Sequence, residues 1–293
     1  MAHVAALGGN HINSIRNWST DKVQTFLKEI DTVCAVFPPH LSNPIENEPY
    51  WCSIQRNLLL NCADSWRITL SVAMIPQILK RSGDGDEEAI LEDGISAAKR
   101  ILKRRCDDPS SFFNKFWSVT CATVTAGIFL ALHLICFAND DQSVVDVVGL
   151  QDLVMLSISL IEHSPPTDAR HAALLVLRRL LHLYEHVFCM SSEPRIVKNA
   201  ALARIVRLVA CPSLWDSLSD IEATVQFVFE DSPNNSEATT ASDMHAVEDQ
   251  EILGAWEQYS EMSMETLPFL DQLFPSAELI DTSLPSFVDS RML

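Results

Sequence analysis

The residues most suggestive of chemistry are His182-Leu183-Tyr184-Glu185-His186. Their spacing matches H-x-x-E-H, the inverted zinc-peptidase pattern. Two histidines at i and i+4 share one side of a helix and can share a metal, and Glu185 could act as the base for a zinc hydrolase. The pattern is short, however, and no third ligand stands out downstream. His171 and Arg178 continue the same stripe, as on an ordinary wet helix face. Cys211-Pro212 could ligate haem, but a helix-ending proline after a buried cysteine accounts for it more simply. The eight cysteines (34, 52, 62, 106, 121, 136, 189 and 211) are never closer than ten residues, so there is no CxxC and no readable metal knuckle. Most lie in apolar runs, as small buried hydrophobes of a reducing compartment do. Ser82-Gly83-Asp84-Gly85-Asp86 faintly suggests a calcium loop, but Ala89 stands where that pattern needs glycine. There is no glycine-rich phosphate loop, GxSxG or dinucleotide fingerprint. The expectation is a protein that is not an enzyme and carries neither cofactor nor metal.

A second cluster is basic. Lys99, Arg100, Lys103, Arg104 and Arg105 lie in KRILKRR, which could serve as a nuclear import signal or a phosphate patch. On the segment alone a solvated helix end is the simpler account, because acids open this stretch and bases close it, matching the helix dipole.

The third candidate is the C-terminal tail. The formal charge of −18 is uneven: Glu230 to Leu293 holds fourteen Asp/Glu and one Arg, a balance of −13, leaving −5 for everything before it. So acidic a chain is not expected to bind nucleic acid directly. A polar linker, SPNNSEATTASD, is followed by acids interleaved with large apolar side chains, including Trp256, Leu267, Phe269, Leu270, Leu273 and Phe274. The acids keep such side chains solvated yet available to a partner. Phe269–Phe274 can form a short amphipathic helix for an apolar groove, the composition of an acidic activation segment that recruits coactivator.

These candidates need a body to carry them. Between Phe116 and Asn139 no side chain is charged, a run of about seven helical turns that is apolar all round. Such a helix is enclosed either by other helices or by lipid. A bilayer-insertion scale gives roughly −3 to −5 kcal/mol for its apolar residues, opposed by Thr120, Thr123, Thr125 and His133. A membrane anchor at 116–138 is therefore the alternative to a buried core helix, and the other apolar helices favour burial.

Those helices are readable in order. Ser19-Thr20-Asp21 caps a helix to about Val36, with Val23, Phe26, Leu27, Ile30 and Val33 on one face. A proline-rich loop spans 38–49. A helix runs from about Tyr50 to Ile75, with a break allowed near Cys62–Ser65, and Pro76 bends or ends it. Others cover Glu87–Cys106, Ser143–Glu162, Thr167 to about Met190, and a stretch opened by Ser192-Glu193-Pro194 and closed at Cys211-Pro212, with Trp215 and Leu218 docking as a last turn. The fold class expected is all-α: a loose 1–18, a helical domain over 19–220, then linker and tail over 221–293.

This order of segments resembles the middle homology region of fungal zinc binuclear-cluster transcription factors. Arg67-Ile68-Thr69-Leu70 to Pro76 is similar to that region's Arg-x-x-Leu-x-x-Pro-like helix. Gly94–Ile101 looks like its Ala-Ala helix, Phe116–Ile135 with Ala126-Gly127 and Leu130 like its apolar central helix, and Asp168–Leu181 like its alanine-to-leucine helix. The resemblance covers roughly 45–220. It implies a nuclear, all-α regulatory domain followed by an activation tail. The family's six-cysteine zinc cluster and dimerisation coiled coil are absent from this sequence, so the expectation is either the C-terminal piece of a longer regulator or a protein that works without touching DNA itself, with a DNA-binding partner subunit.

Overall fold

A computed structural model describes residues 18–43, 46, 48–80, 85–107, 116–137, 146–189, 197–211, 214–218 and 220–229. They are 88% helical and contain no strand, so the described fold is all-α. In chain order the helices are α1 (Thr20–Ala35), α2 (Pro39–Ser42), α3 (Tyr50–Lys80), α4 (Gly85–Asp107), α5 (Trp117–Phe137), α6 (Val147–Glu162), α7 (Asp168–Tyr184), α8 (Asn199–Ala210), α9 (Leu214–Ser217) and α10 (Ile221–Phe229). A π-helical turn, Glu185–Cys189, continues α7.

Helix starts follow local chemistry. The Ser19 side chain accepts from the Lys22 amide, and Thr167 accepts from the Arg170 amide at 3.1 Å, each relieving an orphan N–H of a first turn. Asp146 caps α6 in the same way through Gly149 at 2.9 Å. The expected start signal at Ser192-Glu193-Pro194 lies outside the described residues.

Helix α5 sits at the centre. Every residue from Ala126 to Ile135 is buried, so no angular face reaches solvent. Helices α3, α4, α6 and α7 pack against it and bury it within the main core. Both α5 and Tyr50–Leu79 are long and apolar enough to span a bilayer, yet 78% of α5's apolar window is already covered by protein. That enclosure argues against a lipid-facing role for 116–138.

Two glycines set how closely the layers approach. A Cβ on Gly94 would lie 2.4 Å from Ser71 Oγ on α3 and 2.8 Å from Phe129 Cζ on α5. One on Gly127 would lie 2.4 Å from Ser157 Oγ on α6 and 3.1 Å from Leu177 Cδ2 on α7. The hydrogen atoms of these residues are thus the contact surface between neighbouring helices.

Four features depart from the sequence expectation. Helix α3 is unbroken at Cys62–Ser65 and runs through Pro76, because buried Ile68, Leu70, Met74 and Ile75 hold it against α4, α5 and α1 across the lost backbone bond. The 38–49 loop contains the short α2. Trp18, assigned to the loose terminus, is buried with its ring edge-on to Phe26 at 5.3 Å. Residues 221–229, assigned to the linker, form α10, whose Val225 and Val228 join the main core beside Trp215.

Replacing Gly94 or Gly127 with alanine tests the close approach. Alanine normally favours a helix by about 1 kcal/mol over glycine. Overpacking here should reverse the sign and leave each variant roughly 1–2 kcal/mol less stable in urea unfolding.

Candidate functional site

The basic cluster is the candidate whose geometry is fullest. At α4's helical spacing, Lys99 and Lys103 project into solvent, and Lys103 pairs with Asp107 at 2.9 Å. The three arginines turn toward the protein. Arg100 and Arg104 both bond Asp64 of α3, whose side chain is almost wholly buried; Arg100 Nη2 reaches Asp64 Oδ1 at 2.6 Å. Arg104 Nε also donates to Asn61 Oδ1 at 2.8 Å. One turn along α3, Arg67 donates to Asp93 of α4 at 2.8 Å and to Asp31 of α1, and lies 3.8 Å from Asp64. Burial pulls the Arg67 guanidinium down, and its bonds to Asp93 and Asp31 more than reverse this, leaving it above its ordinary value. Asp64, Asp31 and Asp93 thus balance Arg67, Arg100 and Arg104 and tie α1, α3 and α4 together. The solvated-helix-end account is corrected on this point, since these arginines are structural ties.

Arg105 has a different role. It is 3% exposed, and among the described residues its bonds go to hydroxyl and carbonyl oxygens and to no carboxylate. It donates to Thr123 Oγ1 at 2.6 Å, to the Leu160 carbonyl at 2.7 Å and to Ser164 Oγ. Leu160 belongs to the last turn of α6, where carbonyls lack intrahelical partners and the dipole is negative. Arg170 donates to the Ser164 carbonyl at 2.6 Å, so two arginines close the end of α6. Burial pushes Arg105 down to about 10, still cationic at neutral pH. A receptor reading the five basic side chains therefore meets Lys99 and Lys103 in solvent, Arg100 exposed but bonded to Asp64, and Arg104 and Arg105 turned inward.

His182, Glu185 and His186 sit at the junction of α7 and the π turn. His182 Nδ1 lies 3.5 Å from Glu185 Oε2, and Gln151 Nε2 donates to Glu185 Oε1 at 3.3 Å. Among the described residues no three His, Cys, Asp or Glu side chains converge to hold a metal, these included. His171 and Arg178 share the exposed face with His182, and Arg178 pairs with Glu162. Four of the cysteines are held away from the thiolate: burial pushes Cys34 up, Cys62 to about 11, and Cys121 and Cys136 to about 12.

His133, a polar member of α5, gave no sequence signal beyond opposing membrane insertion. Its ring lies between Phe129 and Phe137, at centroid distances of 6.2 and 5.0 Å, and neither nitrogen has a hydrogen-bond partner. Burial lowers its pKa to about 4. The candidate partner residues of the tail, Trp256, Leu267, Phe269, Leu270, Leu273 and Phe274, lie outside the described residues.

Comparison with protein-family models, with curated proteins and with solved structures finds no significant match.

Two measurements follow from this geometry. Asp64→Asn leaves Arg100 and Arg104 without their shared carboxylate and should cost about 3 kcal/mol or more in stability. A loss below about 1 kcal/mol would show that solvent already screens the pair. For His133, the unfolded chain binds a proton near pH 6.5 and the folded chain only near 4. Stability should therefore be unaffected by this residue above 6.5 and fall as pH drops from 6.5 to 4, by roughly 3 kcal/mol in all. His133→Leu should flatten that part of the stability–pH curve.

Proposed function

We propose that this chain is a transcriptional regulatory module. Its helical body is a scaffold, and its acidic tail recruits a coactivator. The observation carrying this reading is where the family-like residues lie. Arg67 is the tie to Asp31 and Asp93, Gly94 and Gly127 are the close-approach points, and Ala97, Ala98, Ala126 and Leu130 are buried between helices. A resemblance carried by such residues concerns the architecture of a regulatory domain. The tail adds a charge of −13 with aromatic and leucine side chains spaced along it. On this reading the protein works in the nucleus, is not an enzyme, and reaches DNA through a DNA-binding partner subunit, since its overall charge opposes phosphate. Trp256, Leu267, Phe269, Leu270, Leu273 and Phe274 are the coactivator contacts, and Lys99 and Lys103 are the members of the basic cluster best placed to be read in import.

Fusing residues 231–293 to a foreign DNA-binding domain should activate a reporter. Replacing Phe269 and Leu273 together by alanine should reduce activation severalfold at equal protein level. A silent wild-type fusion would count against the proposal.

A further inference from the structure

Helix α1 lies along α3 in antiparallel register. Gln77 Nε2 donates to the Trp18 carbonyl at 3.1 Å, the Phe26 and Trp66 rings meet edge-on at 6.3 Å, and Asp31 bonds Arg67. As α1 advances from 18 to 31, its partners on α3 retreat from 77 to 67. Both helices rise equally per residue, so the register continues. The next turn of α1 carries Cys34, and it comes level with the turn of α3 that precedes Trp66 and Arg67, where Cys62 stands.

Spacing also brings both thiols to the seam. Cys34 follows Leu27 by seven residues and Ile30 by four, and packs with them against the apolar cluster between α1 and α3. Cys62 precedes Trp66 by four residues and Ala73 by eleven, two α3 side chains at the margin of that cluster. Packed helices have axes about 8–10 Å apart and Cα radii of about 2.3 Å, which brings facing Cα atoms to roughly 6 Å, within the span of a disulfide. After burial itself, Cys34 is among the neighbours whose charge raises the Cys62 pKa, as proximity requires. Both are free thiols and each is partly exposed. Cys106 and Cys121 also stand at matching heights, since Arg105 bonds Thr123, but Arg105 is the residue facing α5 and Cys106 is exposed.

We propose that Cys34 and Cys62 form a reversible disulfide that locks α1 onto α3. The oxidant is a hydroperoxide, with hydrogen peroxide the simplest. Burial raises the Cys34 pKa and Arg67 pulls it partway back, so Cys34 is the attacking thiol. Its sulfur bonds one peroxide oxygen as the O–O bond breaks, giving a sulfenic acid, and the departing hydroxide takes the thiol proton as water. The Cys62 sulfur then displaces hydroxide from the sulfenic sulfur, and that hydroxide leaves with the Cys62 proton as a second water. Two thiols lose two electrons and the peroxide gains them. A dithiol reductant reverses the bond by exchange. Burial holds both thiols protonated at neutral pH, so the bridge answers sustained oxidation and forms slowly. Its target is a helix outside the main core, held by its own apolar cluster, by Thr20 on Glu87 at 3.4 Å and by Asp31 on Arg67. A covalent tie enclosing residues 35–61 restricts the opened state of that helix.

Stepwise hydrogen peroxide treatment of the full-length protein, followed by thiol blocking and nonreducing peptide mapping, tests this. The first bridge should join the Cys34 and Cys62 peptides and disappear with dithiothreitol. Cys62→Ala should lose the bridge, keep its helicity and leave Cys34 as a sulfenic acid that dimedone traps. In the bridged wild-type protein, the Val23–Ile30 amides should exchange about tenfold more slowly or better. A first bridge between any other pair, linkage between chains, or Cys34 and Cys62 remaining thiols or ending as sulfinic acids would overturn the proposal. A Cys34–Cys62 bridge with unchanged Val23–Ile30 exchange would overturn the lock.

Discussion

A helix with no polar face must be covered on all sides, and the arrangement of this protein answers to that constraint. Helix α5 buries ten consecutive residues, so each neighbour has an apolar stripe committed to it. Desolvating such a rod supplies a large non-directional driving force. Direction comes from shape: Gly94 and Gly127 let α3, α6 and α7 approach to distances that a methyl group would forbid. The same helix carries His133, whose buried nitrogens find no hydrogen-bond partner among the described residues, so burial favours the neutral ring.

Electrostatics organise the edge that apolar packing leaves open. Asp64 accepts from two arginines of the facing helix, and Arg67 joins acids from α1 and α4. Buried ion pairs contribute modestly to net stability, because desolvation offsets their attraction, but a misregistered pair leaves an uncompensated charge. These ties therefore select one register of α3 against α4. Arg105 completes α6 by serving carbonyl and hydroxyl acceptors at its end, where a negative dipole substitutes for a carboxylate.

Body and tail thus divide the physical labour. Most of the hydrophobic surface of 18–229 is spent on internal contact, with exceptions such as Trp51, Val148 and Met155. The final sixty-four residues hold most of the net charge, together with bulky apolar side chains interleaved among the acids.

Much of the fold was legible from local signals. The all-round apolar run marked the body of α5, and Ser19 and Thr167 marked the starts of α1 and α7, because periodicity and capping are properties of neighbouring residues. Leu174, Leu177, Leu181 and Tyr184, buried in α7, recur at helical spacing for the same reason. Of the candidate sites, the sequence revealed only the residue types. Five bases in seven positions look alike on paper, yet Arg100 and Arg104 meet Asp64 thirty-six and forty residues away, Arg105 meets Leu160 at a separation of fifty-five, and the two lysines face water. The passage of α3 through Pro76, the docking of Trp18 and the inclusion of α10 were likewise settled by distant partners. Local pattern determines where a helix forms and which face is greasy; what each polar side chain meets depends on which distant helix lies opposite, and only tertiary packing decides that.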